Sequence, residues 1–163
     1  MTDLDRSLLD ELAIRKLTDA YSHAVMRGDG FAAAACYSES GILSAYKAPD
    51  IVGRDKIGTI LDKTLTPLKF TILTCTNGVV EVAGDNAVAS WSVSEWLAVE
   101  DGDTLTCNFG VYEDTLARFA EGWRFTLRRF QVFSRGLVPF SGRFSSQPDL
   151  EHDYTVPRFL DPA

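Results

Sequence analysis

The chain has 163 residues, of which 45% are hydrophobic and 24% charged. At that length one domain buries roughly two thirds of its unfolded surface, and the composition excludes disordered and fibrous classes. A net charge of −7, with no basic cluster beyond Arg128-Arg129, repels phosphate backbones and predicts no nucleic-acid partner.

No apolar run reaches the roughly 18 residues of a membrane span, and Met1 to Arg6 lack the basic and apolar regions of a signal peptide. The expectation is a cytoplasmic protein without a membrane partner. Cys36, Cys75 and Cys107 are odd in number and form no CxxC pair, which reads as reduced thiols. His23 and His152 add too few soft ligands for a transition-metal centre, so no metal is expected.

From about Asp5 to Arg27 the pattern is helical, with Ile14, Leu17, Tyr21, Ala24 and Val25 on one stripe and Gly28-Asp29-Gly30 as its end. A short second helix is predicted over Phe31 to Tyr37, then a partly exposed strand over Ile42 to Tyr46. Lys56 to Leu65 reads as an amphipathic helix with Ile57, Ile60 and Leu61 inward, stopped by Pro67. From Phe70 the period becomes alternating. Gly84-Asp85, Asp101-Gly102 and Glu121-Gly122 mark three hairpins between long strands near 70–83, 86–100, 104–119 and 122–134.

Strands joined by tight turns are antiparallel neighbours, and helices gathered at one end of the chain cover one face of their sheet. The fold class is therefore α+β. The domain is expected over 1–135. After Arg135 the glycines and prolines of 136–163 predict an extended tail, whose Phe140, Phe144, Tyr154 and Phe159 would pack on the domain or a partner subunit.

Ala13-Ile14-Arg15-Lys16-Leu17 leading to Tyr21, then Arg27-Gly28-Asp29 and Val52-Gly53-Arg54-Asp55-Lys56-Ile57, carry a likeness. So do Thr76-Asn77, Gly84 to Ala89, Gly110 to Asp114, and Gly122-Trp123-Arg124-Phe125 followed by Arg129. Over about residues 8 to 134 the chain resembles the SnoaL-like branch of the nuclear-transport-factor-like, or cystatin-like cone, superfamily. The resemblance implies N-terminal helices packed in a curved, mainly antiparallel sheet. It also implies a conical pocket for a small hydrophobic ligand, often in a homodimer or homotrimer.

In the family's dehydratases an Asp near the end of the first helix and a His on the first long strand abstract the proton. The corresponding positions here are Met26 and Leu73. Neither side chain moves a proton, so the family's dyad is missing.

Other groups are candidates for that work. On the second long strand Ala87, Ala89, Trp91, Val93, Glu95, Leu97 and Val99 share one face, so Glu95 is a carboxyl among apolar side chains. Such a carboxyl is paired or has a raised pKa, which suits an acid/base, although a partner such as Arg129 would make it structural. Arg129 shares the parity of Phe125 and Leu127 and calls for an anion: Glu95, Asp114 or a ligand oxygen. Tyr112 joins Glu95 as a catalytic candidate. Tyr21, Met26, Tyr46, Leu73, Asn77, Trp91, Asn108 and Arg129 are candidates for ligand contact, with plain core packing the alternative for the aromatic ones. His23 lies opposite the apolar stripe, facing solvent or a subunit.

The leading functional reading is a protein that binds an aromatic or polycyclic molecule, as a cofactor-free lyase, isomerase or cyclase. Enolisation or elimination beside a carbonyl needs mainly a base and an oxyanion donor. Two alternatives stand beside it. One is a non-catalytic subunit resembling the small (beta) subunit of an aromatic-ring-hydroxylating dioxygenase. The other is a pure ligand-binding module.

Overall fold

The computed structural model describes residues 3–99 and 104–140. Helix α1 spans Asp3–Met26 and buries Ile14, Tyr21, Ala24 and Val25, the stripe read from the sequence. Its end is made by Gly28 at φ +73°, whose N–H reaches the Val25 carbonyl while the Asp29 N–H reaches that of Ala24. This pair of bonds closes a helix on a left-handed residue, where glycine carries no Cβ penalty. Asp29 then caps α2 (Gly30–Ala34), accepting from the Ala32 N–H at 2.7 Å.

Strand β1 covers Tyr37–Ser44, five residues earlier than the expected start at Ile42. A two-residue β2 (Ile51–Val52), which the sequence does not announce, pairs with it before α3 (Arg54–Leu65). The four long strands follow as β3 (Leu68–Ala83), β4 (Asn86–Val99), β5 (Thr104–Phe119) and β6 (Gly122–Pro139). The hairpin expected at Asp101-Gly102, and all positions after 140, lie outside the described residues.

The strands form one curved six-stranded sheet in the order β2-β1-β6-β5-β4-β3. All neighbours are antiparallel except β1 and β6, which run parallel, so the sheet is mixed. β6 continues through Gly136 to Pro139, paired to β5 throughout, where the tail was expected to begin at 136. Gly136 sits opposite Cys107, whose Sγ lies 3.5 Å from the Gly136 carbonyl.

Helix α1 lies on the inner face of the sheet. Near its start Asp10 accepts from Arg118 Nη2 at 2.6 Å and Trp123 Nε1 at 3.2 Å, which fixes the helix to the β5–β6 hairpin. One turn on, Arg15 stacks on the Trp91 ring and donates to the Gly78 carbonyl at the irregularity of β3. Ser22 Oγ meets Cys75 Sγ at 3.4 Å further along. The helix thus runs from the β5–β6 turn towards the row of Leu73 and Glu95. Between helix and sheet, Tyr37, Phe125, Ile14 and Leu116 are fully buried, each contributing about 1.5–3 kcal/mol of apolar burial.

Candidate functional site

The inner face is built in rows across the sheet. Val80, Ala89, Asp114 and Arg128 form one; Trp91, Tyr112 and Phe130 the next; Cys75, Val93, Gly110 and Val132 another; and Leu73, Glu95, Asn108 and Arg135 the last before the rim. At the rim, Leu97, Thr106 and Leu137 follow, with Leu137 72% exposed. Polar groups therefore occur at two depths.

At the closed end, Arg128 is fully buried and its Nη2 and Nε meet the two Asp114 oxygens at 2.6 and 2.8 Å. Asp114 also accepts from Trp91 Nε1 at 3.0 Å. The guanidinium lies 3.9 Å from the Phe125 ring centre, 4.4 Å from that of Tyr112 and 4.5 Å from that of Tyr21. Burial by itself works against the charged form of Arg128, and the Asp114 carboxylate overrides it, leaving the pKa above its usual value. The charge is permanent, and the rings take the place of water around it.

Towards the rim, Asn108 Nδ2 donates to Glu95 Oε2 at 2.6 Å. Glu95 is partly buried, and desolvation raises its pKa against the opposing pull of Asn108 and Arg135. Asn108 is 5% exposed, and its Oδ1 is buried without a partner among the described residues. The tyrosines nearby stay protonated. Burial pushes Tyr21 up to about 12 and Tyr112 well above its ordinary value, and the Glu95 carboxylate adds to both shifts. The arrangement is a carboxyl able to take a proton, held by an amide, with the Tyr112 phenol on the same sheet face and that of Tyr21 packed against it from α1.

The structure brings together Glu95, Asn108, Leu73 and Tyr112 of the inner face and Tyr21 of α1, while Met26 is half-buried against the core at the end of α1. Trp91 faces the same way but is sealed into the core by Asp114, Arg15 and Gly78. Tyr46 is 42% exposed beside Lys47, and Asn77 is exposed at the β3 irregularity with φ +51°. Neither lies with Glu95.

Arg129 does not face inward, as its parity suggested. The β5–β6 pairing shifts between Thr115 and Leu116, which face Leu127 and Phe125 respectively, so Thr126 is an extra residue. That bulge hands the inward position to Arg128 and leaves Arg129 exposed, 4.0 Å from Glu113. Neither arginine is the partner of Glu95. The sequence reading missed Arg128; the signal was Asp114, an acid on the inward parity of β5 that needs a cation from the next strand.

Two open depressions lie elsewhere. One of about 360 Å³ on the opposite face of the sheet is bordered by Val79, Val88, Glu113 and Arg129, and one of about 460 Å³ sits at the start of α3 by Arg54 and Lys56. Among the described residues no three His, Cys, Asp or Glu side chains are grouped to hold a metal, and no helix is long and apolar enough to cross a membrane.

No curated protein sequence matches the chain. Among solved structures, a Mycobacterium tuberculosis protein of unknown function is 25% identical with a TM-score of 0.73, over 81% of this chain and 76% of that one. An NTF2-like protein with a cystatin-like fold from Novosphingobium aromaticivorans is 24% identical with a TM-score of 0.67, over 79% and 85%. A type 2 hexachlorocyclohexane dehydrochlorinase, LinA, is 20% identical with a TM-score of 0.75, over 91% and 99%. The model of the SnoaL-like domain matches residues 6–129, and with the helix-lined curved sheet just described this chain belongs to the SnoaL-like family.

Proposed function

We propose that the chain is a cofactor-free proton-transfer enzyme, a lyase, isomerase or cyclase, acting on a small hydrophobic aromatic or polycyclic carbonyl compound towards the rim of the inner face. The observation that carries this reading is Glu95: a partly buried carboxyl whose partner is an amide, not a cation, and whose pKa is raised. A base works best when its pKa approaches the working pH, and burial moves a carboxyl in that direction. Glu95 takes the proton, Tyr21 and Tyr112 donate to the oxygen on which charge develops, and Leu73 and Met26 form an apolar wall. The dehydrochlorinase among the structural neighbours supports the reading at the level of fold.

The test is deuterium incorporation at the α-carbons of 2-tetralone in D₂O, followed by NMR. The protein is expected to accelerate exchange, and Glu95→Gln to lower that acceleration by roughly 10²- to 10⁴-fold. Unchanged acceleration in Glu95→Gln removes Glu95 from the role. No acceleration by the unsubstituted protein removes the proton-transfer reading.

The second reading, a partner subunit or a homo-oligomer, is favoured by neighbouring apolar side chains on the sheet: exposed Ile72 lies opposite Trp96, whose ring meets that of exposed Phe109 edge-on at 5.7 Å. Isolated surface hydrophobes are common, whereas a contiguous set marks an interface. Sedimentation of the full chain alone decides it. A dimer or trimer supports self-association through this face, and a monomer supports a different partner.

A further inference from the structure

Burial changes face along β4 and β5. From Ala87 to Val93 on β4, and at Tyr112 and Asp114 on β5, the buried side chains are those of the inner face. Towards the rim the outer face is buried as well: Ala98, Leu105 and Cys107 are closed to solvent, while Val99, on the inner parity, is 58% exposed. Ile72, Trp96, Cys107 and Gly136 make one row across β3 to β6 on that outer side, and the Phe109 ring stands edge-on to that of Trp96. The described helices pack on the inner face and against β1 and β2, so none of them covers this row. A contiguous apolar patch of this kind marks a contact surface.

The chain itself holds a segment of the right reach. β6 ends at Pro139, opposite Thr104 and one residue past the partner of Leu105, so the chain leaves the sheet at the edge of the patch. From β6 to β3 is three strand spacings, about 14 Å. Five residues of extended chain span about 16 Å, which brings position 144 within reach of Trp96 and Ile72. Residues 100–103 are taken up in joining β4 to β5. We propose that residues 141–163 fold back over the outer face of their own chain and lay Phe144, Tyr154 and Phe159 on the patch of Ile72, Trp96, Cys107 and Phe109. Gly142 provides the reversal, since it alone there carries no Cβ penalty in a tight turn. The segment then occupies, in cis, the surface that the second reading leaves to another chain, and it withholds that surface from self-association. Nothing in this packing depends on the proton-transfer reading, which concerns the inner face.

Acrylamide quenching of tryptophan fluorescence tests the packing, because Trp91 and Trp123 are buried and the share of Trp96 is the difference between the full chain and Trp96→Phe. In the unsubstituted full chain Trp96 is expected to be protected to the same degree at every protein concentration. Its NOESY spectra are expected to connect the Trp96 ring to Phe144, Tyr154 or Phe159, a measurement that requires no variant to fold. Replacing the three rings together, Phe144→Ser, Tyr154→Ser and Phe159→Ser, is expected to raise the quenching of Trp96 severalfold and to leave that of Trp91 and Trp123 unchanged. Protection that disappears on dilution gives the face to a second copy and overturns the proposal. Protection that survives the triple substitution gives it to another segment, and a Trp96 quenched freely in the unsubstituted chain leaves the face open. Either result overturns the proposal, as does the absence of ring-to-ring contacts in the NOESY spectra.

Discussion

Removing the buried charge at position 128 is the sharpest test of how the closed end is held. In Arg128→Met the Asp114 carboxylate keeps the Trp91 Nε1 bond but loses both guanidinium contacts, at 2.6 and 2.8 Å, inside a fully buried environment. Breaking a buried pair from one side costs about 3–5 kcal/mol, because the remaining charge is stranded. In a chain of this size that lowers Tm by roughly 6–20 °C. Asp114→Leu strands the guanidinium instead and additionally leaves Trp91 Nε1 without its acceptor, so its loss is at least as large. The double variant Arg128→Met, Asp114→Leu removes both charges. What remains is the unpaired indole N–H, about 1–3 kcal/mol, together with the lost ring contacts of the guanidinium. The double variant is therefore expected to be more stable than either single one, with a coupling energy of at least about 3 kcal/mol in urea unfolding. Additive losses, or a single loss below about 1 kcal/mol, would refute the claim that this pair organises the closed end.

The remaining predictions concern the rim and the edge strand. Burial raises the folded-state pKa of Glu95 above the unfolded reference of 4.5, so the folded protein binds the extra proton. Stability from this group is fully present below the unfolded pKa and is lost as pH rises through the folded one. Glu95→Gln is accordingly expected to be no less stable than the parent at pH 7 and to show a flatter stability profile above pH 4.5; a steeper profile, or a large loss at pH 7, would assign Glu95 to the scaffold. A Cβ on Gly78 would overlap the Trp91 ring, which Asp114 and Arg15 hold in place. Gly78→Ala is expected to cost about 1–3 kcal/mol, read from the urea midpoint, and a neutral result would show that the ring is free to shift.

The hairpins at Gly84-Asp85 and Glu121-Gly122, the end of the first helix and the α+β class were legible because each rests on local chemistry, whereas the second helix stops at Ala34 and the expected Tyr37 end lies in β1. Gly28-Asp29 closes one helix and caps the next, and Gly84 and Gly122, both at positive φ, sit in their turns. What escaped the sequence was non-local. Parallel pairing of β1 with β6 joins segments some 85 residues apart, and nothing in Tyr37–Ser44 names that partner. The continuation of β6 through Gly136 depends on β5 lying alongside, which outweighs glycine's preference for a turn. The one-residue bulge at Thr126 has no composition of its own. It nevertheless exchanges the faces of Arg128 and Arg129, because strand parity is counted in single residues. Glu95 was legible because no irregularity interrupts the β4–β5 register between it and the turn-proximal end of the strand.

The same register sets the proposed base beside the strand position at which the resemblance expects a histidine. Leu73, at the position of the missing histidine, is the direct cross-strand partner of Glu95, and directly opposed residues on one face place their Cβ atoms about 4.5–5.5 Å apart. A carboxyl on β4 therefore reaches the same region that a side chain on β3 would reach, from one strand further into the sheet. The move changes the chemistry. An imidazole is oriented by a carboxylate beside it, whereas the base we propose is the carboxyl itself, held by the Asn108 amide. Leu73 sets an apolar side chain directly across from Glu95, and burial is the largest cause of the raised pKa of that carboxyl.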